Sequence, residues 1–223
     1  MGHTLGASVT RVSLGGTHVN DITLAGSKLH HYHVAAFFRS RDEEYEVLQS
    51  YIQDGLRMGE KAIHICDPDL RHDHLHQLER MGVQTTNCTR TGQLEVLSWH
   101  DTYLKDGRFD GDTMMALVNE TIQTSIAEGF PRVRIIGHME WANESLPGVE
   151  RLIEYEALAN NFLNRMKQPA ICVYNVSRFS GETIMDVLRT HPYALVDGAL
   201  RENPYYVPPE KFLSTLNRPA AHS

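Results

Sequence analysis

The pattern of apolar and polar residues between positions 33 and 69 predicts a strand, a helix and a second strand. Val34–Phe38 is a run of bulky apolar residues that is too short to be a helix. Ser40 and Glu43 form a capping-box signature, so a helix should begin near Arg41. On that helix apolar residues recur at intervals of three and four, at Tyr45, Leu48, Tyr51, Ile52 and Leu56. With the apolar run Lys61–Cys66 after it, the segment is typical of a parallel βαβ unit.

Short apolar runs continue to alternate with amphipathic stretches along the rest of the chain. Further strands are predicted at Leu94–Ser98, Val133–Gly137, Ala170–Val176 and Ala194–Val196. Further helices are predicted at Leu70–Met81, Thr113–Glu128, Pro147–Met166, Ser180–Arg189 and Glu210–Leu216, with irregular chain from Leu200 onward. The helix from Pro147 is expected to turn one side inward, formed by Val149, Leu152, Ile153, Leu158, Phe162 and Met166. This order favours an α/β fold whose parallel-dominated sheet carries helices on both faces.

The composition fits a single globular domain. The chain has 223 residues, of which 41% are hydrophobic and 22% charged, so it can bury one substantial core. We assign residues 29–217 to that domain and residues 218–223 to a flexible tail. Residues 1–28 carry Gly, Ser and Thr with weak alternation, which suits either a flexible arm or an added edge strand.

Charge and targeting signals narrow the class of protein. A net charge of -7 argues against direct nucleic-acid binding, which depends on a basic surface. No apolar run approaches the roughly 20 residues that span a bilayer, and the first residues lack the features of a signal peptide. Three widely spaced cysteines without a CxxC are expected to be reduced thiols. These observations favour a cytoplasmic protein.

The first strand-to-helix turn lacks a phosphate-binding loop. Nucleotide-binding βαβ units make this turn from glycines, so that backbone N–H groups and the helix N-terminus can hold phosphates. Here residues 38–44 contain no glycine and no Gly-Lys-Ser/Thr, and Asp42, Glu43 and Glu44 place three carboxylates in the first helical turn. We therefore expect a nucleotide-binding architecture that does not grip phosphate.

Parallel sheets bind their ligands outside the carboxyl ends of the strands. This rule selects the segments Phe38–Arg41, Cys66–Asp69, Trp99–Tyr103, His138–Trp141 and Asn175–Ser180. Aromatic residues with polar tips are common in these segments, as in many small-ligand pockets, although they also suit loops folded over a core.

Across most of its length the chain resembles the methanogen/methylotroph DcmR sensory domain family, abbreviated MEDS. The resemblance is carried in order by HVAAFF, DGLRMGEKAIHI, GQLEVLSWHDTYLKDGRFDGD, GHMEWANESLPGVERLIEYEA, YNVSRFSGETIMDVLRTHP and ENPYYVPPEKFL, from about residue 30 to 213. It implies a RecA-like fold related to the circadian-clock ATPases but degenerate in its phosphate loop. It also implies a sensory module of signalling or transcription-control proteins, with small organic molecules as ligands.

The first strand departs from the pattern of that family. The family strand reads His-x-Cys followed by aromatics, and the resemblance assigns ligand sensing to the His and the Cys. Here His33 is present but Ala35 stands at the cysteine position, which removes thiol chemistry or His/Cys metal ligation there. Cys66, on what we expect to be a neighbouring strand, is a candidate substitute. We expect His33 to lie near His64 or Cys66, either as a sensing contact or as a buried structural histidine.

The predicted ligand site combines the strand-end rule with the resemblance, and consists of His33, Phe38, Cys66, Trp99, Tyr103, Glu140, Trp141, Tyr174 and Arg178. Within it, Glu140 is either a hydrogen-bonding anchor beside the Trp141 ring or part of a helix cap. Arg178 would hold an anionic group of the ligand. Ser180 and Thr183 are expected to be an ordinary helix cap.

No cofactor, metal site or catalytic residue is predicted. His72 and His76 share a helix face, but no further ligand at fixed spacing supports a metal, and a polar exposed helix explains them equally well. No Gly-x-Ser-x-Gly elbow or Gly-x-Gly-x-x-Gly turn occurs, so an enzyme is not expected.

The sequence thus favours a cytoplasmic sensory domain that binds a small organic ligand or a regulatory protein and does not hydrolyse nucleotide. Its output would pass through a signalling or transcription-regulatory partner or through a homodimer. A residual ATPase and a regulator that binds only proteins are the alternatives.

Overall fold

A seven-stranded sheet between two layers of helices forms the core of the computed structural model, which describes residues 21–216. The strands are β1 Thr23–Leu24, β2 Ser27–Lys28, β3 His33–Phe38, β4 Lys61–Cys66, β5 Leu94–Ser98, β6 Val133–His138, β7 Ala170–Asn175, β8 Tyr193–Val196 and β9 Ala199–Glu202. The helices are α1 Arg41–Arg57, α2 Arg71–Arg80, α3 Thr85–Arg90, α4 Gly111–Ala127, α5 Leu152–Met166, α6 Gly181–Thr190 and α7 Pro209–Leu216.

The order of the strands in the sheet is β5-β4-β6-β7-β3-β8-β9. Every neighbouring pair from β5 to β8 is parallel, and only β9 runs antiparallel to its neighbour β8. The predicted α/β fold with a parallel-dominated sheet is confirmed. The first strand of the βαβ unit, β3, lies between β7 and β8. Two strands, β7 and β6, separate it from β4.

The two faces of the sheet have separate apolar cores. Helices α4, α5 and α6 cover one face, which we call the α5 face, and α1, α2 and α3 cover the other, the α1 face. Alternation along β3 sends His33, Ala35 and Phe37 to the α5 face and Val34, Ala36 and Phe38 to the α1 face. In β7 the residues Ala170, Cys172 and Tyr174 point to the α5 face.

The turn between β3 and α1 is closed by its own capping interactions. Ser40 Oγ accepts a hydrogen bond from the Glu43 N–H at 3.2 Å, and Glu43 Oε2 accepts one from the Arg39 N–H at 2.7 Å. This is the predicted capping box with the Glu side chain reaching one residue further back. The Arg39 and Glu43 amides, which lie in the turn where a nucleotide-binding relative would hold phosphate, therefore already have acceptors from the chain itself.

Three elements differ from those that the sequence pattern predicted. Strand β9 lies in the segment expected to be irregular, and a turn at Asp197 and Gly198, both with positive φ, pairs it with β8. Helix α3 was not predicted. Helix α5 begins at Leu152 instead of Pro147, because Gly148 has a φ of +90° and its backbone lies close to that of Phe109.

Residues 21–28 form the β1–β2 hairpin, which packs against α1 and buries Ile22 and Leu24 on the α1 face. Most of the segment interpreted as an arm or edge strand, residues 1–20, lies outside the described residues, as does the tail at 218–223. None of the helices within residues 21–216 has the length and apolar character that crossing a bilayer requires.

Candidate functional site

Four ionisable side chains meet on the α5 face of the sheet, where all of them are buried. His33 begins β3, Cys172 lies in the middle of β7, Glu156 projects from α5, and His191 follows the last residue of α6. One ligand atom from each side chain lies within 4.8 Å of those of the other three. The side chains of Glu156 and His191 are 0% exposed and that of His33 is 1% exposed.

The carboxylate of Glu156 is the centre of this cluster. Its Oε2 lies 3.1 Å from His33 Nε2, 3.5 Å from His191 Nε2 and 3.7 Å from Cys172 Sγ. Its Oε1 accepts a hydrogen bond from the Tyr174 hydroxyl at 3.0 Å. The Cys172 Sγ is also 3.3 Å from His33 Nε2. All the polar tips therefore converge on one point between β3, β7 and α5.

The outward nitrogen of each histidine ring is fixed by a hydrogen bond. His33 Nδ1 lies 3.2 Å from Asn160 Oδ1, and His191 Nδ1 lies 2.9 Å from the carbonyl oxygen of Val187. The Asn160 amide nitrogen donates to the backbone oxygens of Glu156 and Thr190, which orients its oxygen towards His33. Both acceptors favour a proton on Nδ1, and the Nε2 atom of each ring faces the cluster.

A small cavity lies beside the cluster. Its volume is about 30 Å³. Its wall includes His33, Glu156 and Cys172 together with Tyr103 and Gly137 from the carboxyl half of the sheet. This space is comparable to the volume of one water molecule, about 30 Å³ in the liquid. It can hold a solvent molecule or an ion, and it is too small for a drug-sized compound.

Burial is the largest single influence on the pKa values of Glu156, Cys172 and His191. Desolvation acts to raise the pKa of Glu156, but the hydrogen bond from His33 and the nearby histidines and Tyr174 outweigh it and lower the pKa. Desolvation and the neighbouring Glu156 raise the pKa of the Cys172 thiol well above its usual range. Desolvation lowers the pKa of His191 to about 3. The cluster thus contains a buried carboxylate, a protonated thiol and a neutral imidazole.

Two imidazoles, a thiol and a carboxylate form a ligand set that suits transition metals. The same groups can exchange protons among themselves or hydrogen-bond a small polar molecule. Nothing in the cluster resembles a phosphate-binding site, because a buried carboxylate at its centre repels anions.

A second buried polar network lies on the α1 face. His138 Nε2 is 2.7 Å from Glu44 Oε1, and His138 Nδ1 is 3.1 Å from the backbone oxygen of Ile65. Desolvation lowers the pKa of His138, but the charge of Glu44 and its hydrogen bond prevail, so the pKa of His138 is raised. This is a buried ion pair between α1 and the carboxyl end of β6.

The histidines His64 and His74 continue that network. His64 Nδ1 lies 2.8 Å from His74 Nε2, and His74 Nδ1 lies 2.6 Å from the hydroxyl of Tyr45. Burial lowers the pKa of His64 to about 3 and that of His74 well below its usual range. These two rings are therefore neutral and pass a hydrogen-bond chain from β4 to α2 and α1.

Four of the predicted aromatic residues lie in one core on the α5 face. Trp99, Tyr103, Trp141 and Tyr174 are all buried there. The rings of Tyr103 and Trp141 stack with their centroids 4.6 Å apart. Tyr103 is the member of this group that reaches the cavity wall.

Polar atoms without partners lie near the carboxyl edge. Among the described residues, Trp99 Nε1, Trp141 Nε1 and Glu140 Oε2 are buried and make no hydrogen bond. Glu140 begins the short helical turn after β6, and Trp99 begins the one after β5. Buried polar atoms usually have hydrogen-bond partners, so we interpret these three atoms as positions where a ligand group or a water molecule would bind.

Two expectations about β3 are not met. Cys66 lies in β4 and points to the α1 face, so it cannot replace the thiol missing at Ala35. His33 is not near His64 or Cys66, because β7 and β6 lie between β3 and β4. The thiol beside His33 is that of Cys172.

Two further members of the predicted site lie apart from the aromatic core. Phe38 is buried on the α1 face, opposite the core that contains Trp99 and Tyr174. Arg178 is exposed in the turn between β7 and α6. That all nine residues form a single ligand site remains a prediction.

The sequence interpretation missed Glu156, Asn160, Cys172 and His191. A signal for the first two was present, since Glu156 and Asn160 are four residues apart on the buried side of an amphipathic helix. Polar residues in such a stripe usually have a buried partner. No short-range pattern in the sequence connects them to Cys172 or His191, which approach through the tertiary fold.

Known proteins resemble the chain in sequence over most of its length. Residues 32–192 match the MEDS family, described as the MEthanogen/methylotroph, DcmR Sensory domain. A transcriptional repressor, DcmR of Methylorubrum extorquens, is 24% identical over 164 residues, which is 73% of this chain. The match spans 58% of the length of that repressor.

Solved structures with a similar fold come from Pyrococcus horikoshii. The KaiC-like protein PH0186 superposes with a TM-score of 0.53 and 11% identity, over 73% of this chain and 69% of its own. The protein PH0321, solved in complex with an unknown peptide, gives a TM-score of 0.55 at 10% identity, over 78% of this chain and 83% of its own. These structures confirm the RecA-like fold, and the match over residues 32–192 shows that the chain belongs to the MEDS family of sensory domains.

Proposed function

We propose that this chain is a cytoplasmic sensory domain that regulates transcription or signalling by binding a small organic ligand or a regulatory protein, without hydrolysing nucleotide. Membership of a sensory family supports the regulatory role, as does the partial likeness to a transcriptional repressor. Its output would pass to a regulatory protein or through a homodimer.

The observation that carries the proposal is the closed turn at the end of β3. Its Arg39 and Glu43 amides donate to the side chains of Glu43 and Ser40, and the carboxylates of Asp42, Glu43 and Glu44 lie in the first turn of α1. A triphosphate at this turn would displace the capping interactions and meet three negative charges. The RecA-like architecture is thereby retained without the group that binds nucleotide in its ATPase relatives.

The ligand site that we favour lies at the carboxyl edge of the sheet, beside Trp99, Glu140 and Trp141. Three buried polar atoms without partners support this location. A donor group of the ligand would satisfy the Glu140 carboxylate and an acceptor group would satisfy an indole N–H, and such bonds stabilise a complex most where the partner atoms are buried and otherwise unpaired.

A protein partner is the second candidate. Val176 follows β7 and is 38% exposed, and Val196 ends β8 and is 45% exposed. These strands flank β3, so apolar surface is available at the same edge of the sheet. PH0321 was solved with an unknown peptide, a property of that protein which motivates this candidate.

Thermal unfolding of the full chain with Mg-ATP, with Mg-ADP and without additive tests the absence of nucleotide binding. A ligand present at a hundred times its Kd stabilises a protein by about 2.7 kcal/mol, so binding would be visible. We expect no shift with either nucleotide. A clear rise in Tm would contradict the proposal.

Native mass spectrometry of the chain purified from its own host separates the two candidates. We expect a bound small molecule, whose occupancy falls in Glu140→Gln and is unchanged in Glu144→Gln, an exposed carboxylate on the same segment. A protein that carries no small molecule would reject the ligand and favour the protein partner.

A further inference from the structure

We propose that His33, Glu156, Cys172 and His191 bind one divalent transition-metal ion of the Zn²⁺ class. This site is additional to the ligand site at the carboxyl edge and goes beyond the proposed function. It also differs from the expectation drawn from the sequence, in which no metal site was predicted. Each of its four members lies in a different element or junction of the fold.

The ligand types and their number fit such an ion. Structural zinc sites use four ligands in a tetrahedron, drawn from Cys, His and carboxylate groups. Bond lengths of about 2.0–2.3 Å make the edges of that tetrahedron about 3.3–3.8 Å. The observed separations around Glu156 Oε2 and His33 Nε2 range from 3.1 to 3.7 Å, and all four atoms lie within 4.8 Å.

The orientation of the two imidazoles supports ligation. Histidines that bind metals usually donate their second N–H to a carbonyl or carboxylate, which fixes the tautomer. His33 does so to Asn160, and His191 does so to the backbone of Val187. Their Nε2 atoms then point into the cluster, where each would give an electron pair to a bound metal ion.

His191 Nε2 provides a second, independent observation. It is buried and makes no hydrogen bond with any residue among positions 21–216. Its nearest charged neighbour is Glu156 Oε2 at 3.5 Å, which is also an electron-pair donor. Two donor atoms facing each other repel, unless a proton or a metal ion lies between them.

The charge of the cluster also suits a divalent ion. When the metal binds, the Cys172 thiol loses its proton to solvent and the sulfur becomes a thiolate. Thiolate and carboxylate together then carry two negative charges, which balance the ion, while both imidazoles stay neutral. A neutral centre avoids the large cost of leaving the Glu156 carboxylate uncompensated in a dry core.

The alternative is a proton in place of the metal, held between His33 and Glu156 as a buried ion pair. That arrangement accounts for the short contact of 3.1 Å between them. It leaves His191 Nε2 without a donor, and it leaves the Cys172 thiol with only a long contact of 3.7 Å to Glu156 Oε2. The metal accounts for all four side chains.

The experiment is a Co²⁺ titration of the full, untagged chain after treatment with a chelator, followed by competition with Zn²⁺. A thiolate bound to Co²⁺ gives an intense near-ultraviolet band, and tetrahedral Co²⁺ gives strong visible bands. We expect both bands to saturate at one ion per chain and to disappear when Zn²⁺ displaces Co²⁺. We also expect Zn²⁺ to raise the Tm of the chelator-treated protein.

Matched variants assign the bands to this site. Cys172→Ser should abolish the thiolate band. His191→Gln should lower the affinity for the ion by more than the roughly 10–100-fold that is lost when a residue hydrogen-bonded to a metal ligand is replaced. Cys66→Ser, a buried cysteine on the α1 face, should leave band and affinity unchanged. A His72→Gln/His76→Gln double variant should do the same, because His72 and His76 lie on the exposed side of α2.

Three results would overturn the proposal. The first is wild-type protein that shows no thiolate band at stoichiometric Co²⁺. The second is a band that Cys66→Ser removes, and the third is binding that is lost only in the His72→Gln/His76→Gln variant. The wild-type titration tests the proposal even if the Cys172→Ser variant fails to fold.

Discussion

Ala35 and Cys172 lie opposite each other in the parallel ladder between β3 and β7. Both point to the α5 face, and the Cys172 sulfur is 3.3 Å from His33 Nε2. Strands that pair in a sheet are about 4.8 Å apart, so a sulfur on either residue occupies nearly the same region. A sulfur beside His33 is therefore carried by the neighbouring strand, opposite Ala35, the position at which the resemblance led us to expect a cysteine.

Moving the sulfur back to β3 should restore the site. Cys172→Ala should remove the Co²⁺ thiolate band, and Ala35→Cys/Cys172→Ala should regain it, because the exchange conserves side-chain volume and the position of the sulfur. The measurement is the Co²⁺ spectrum of each variant. Ala36→Cys/Cys172→Ala is the matched control, since Ala36 points to the α1 face, and it should stay without the band. Recovery by both double variants would contradict this prediction.

The ion pair between Glu44 and His138 should make stability depend on pH. Because the pKa of His138 is raised in the folded protein, its contribution is complete below the unfolded value of 6.5 and is lost as the pH rises through the folded value. Glu44→Gln should lower the free energy of unfolding by about 1.5–3 kcal/mol at pH values below 6.5, and by less at pH values above the folded pKa of His138. Urea unfolding at several pH values measures the difference.

The control for that prediction is Glu46→Gln, which removes an exposed carboxylate from the same helix. Its effect on unfolding should be small at every pH. The neighbouring His64 and His74 have lowered pKa values, so they destabilise the fold as the pH falls below 6.5 in wild type and variant alike. A wild-type to Glu44→Gln difference that grows with rising pH would contradict the assignment of the ion pair.

The cap at the start of α1 should be structural. Ser40→Ala should lower the free energy of unfolding by about 1 kcal/mol, because the Glu43 N–H loses its acceptor. Ser50→Ala, the same substitution at an exposed position of the same helix, should raise it by up to about 0.5 kcal/mol. Urea unfolding compares the two. Nucleotide binding gained by Ser40→Ala would show that the cap, and not the carboxylates, excludes phosphate.

Gly148→Ala should destabilise the fold. Gly148 has a φ of +90°, and a Cβ there would lie 1.9 Å from the Phe109 carbonyl oxygen. The loss should be at least about 2 kcal/mol, because strain and the clash act together. Phe109 contacts Trp141, with ring centroids 4.7 Å apart, so the tryptophan emission should also change. Gly181→Ala, which has no atom within 4 Å of its Cβ, should change stability by less than about 0.5 kcal/mol.

Local patterns predicted the sheet well because its parallel strands are short, buried and apolar, and because Ser40 marks the start of α1. They failed where the backbone needs two distant segments together, as at Gly148 and Phe109, which delays the start of α5. The β8–β9 hairpin was predictable in principle, since Asp197-Gly198 is a strong turn signal.

The buried side of α5 was assigned incorrectly for a related reason. Leu158 was expected to face inward and is 41% exposed, whereas Glu156 and Asn160 occupy the buried side. An apolar stripe predicts a core and cannot predict a polar cluster inside it. His33, Cys172 and His191 meet Glu156 only through the strand order, which places β7 and β8 on either side of β3.

X-ray absorption at the zinc edge of the zinc-loaded full chain tests the four-residue site most directly, since it counts the atoms bound to the ion. We predict one sulfur at about 2.3 Å and three nitrogen or oxygen atoms at about 2.0–2.2 Å. The sulfur should be absent in Cys172→Ala and present again in Ala35→Cys/Cys172→Ala. A shell of nitrogen and oxygen alone in the wild type would contradict the account.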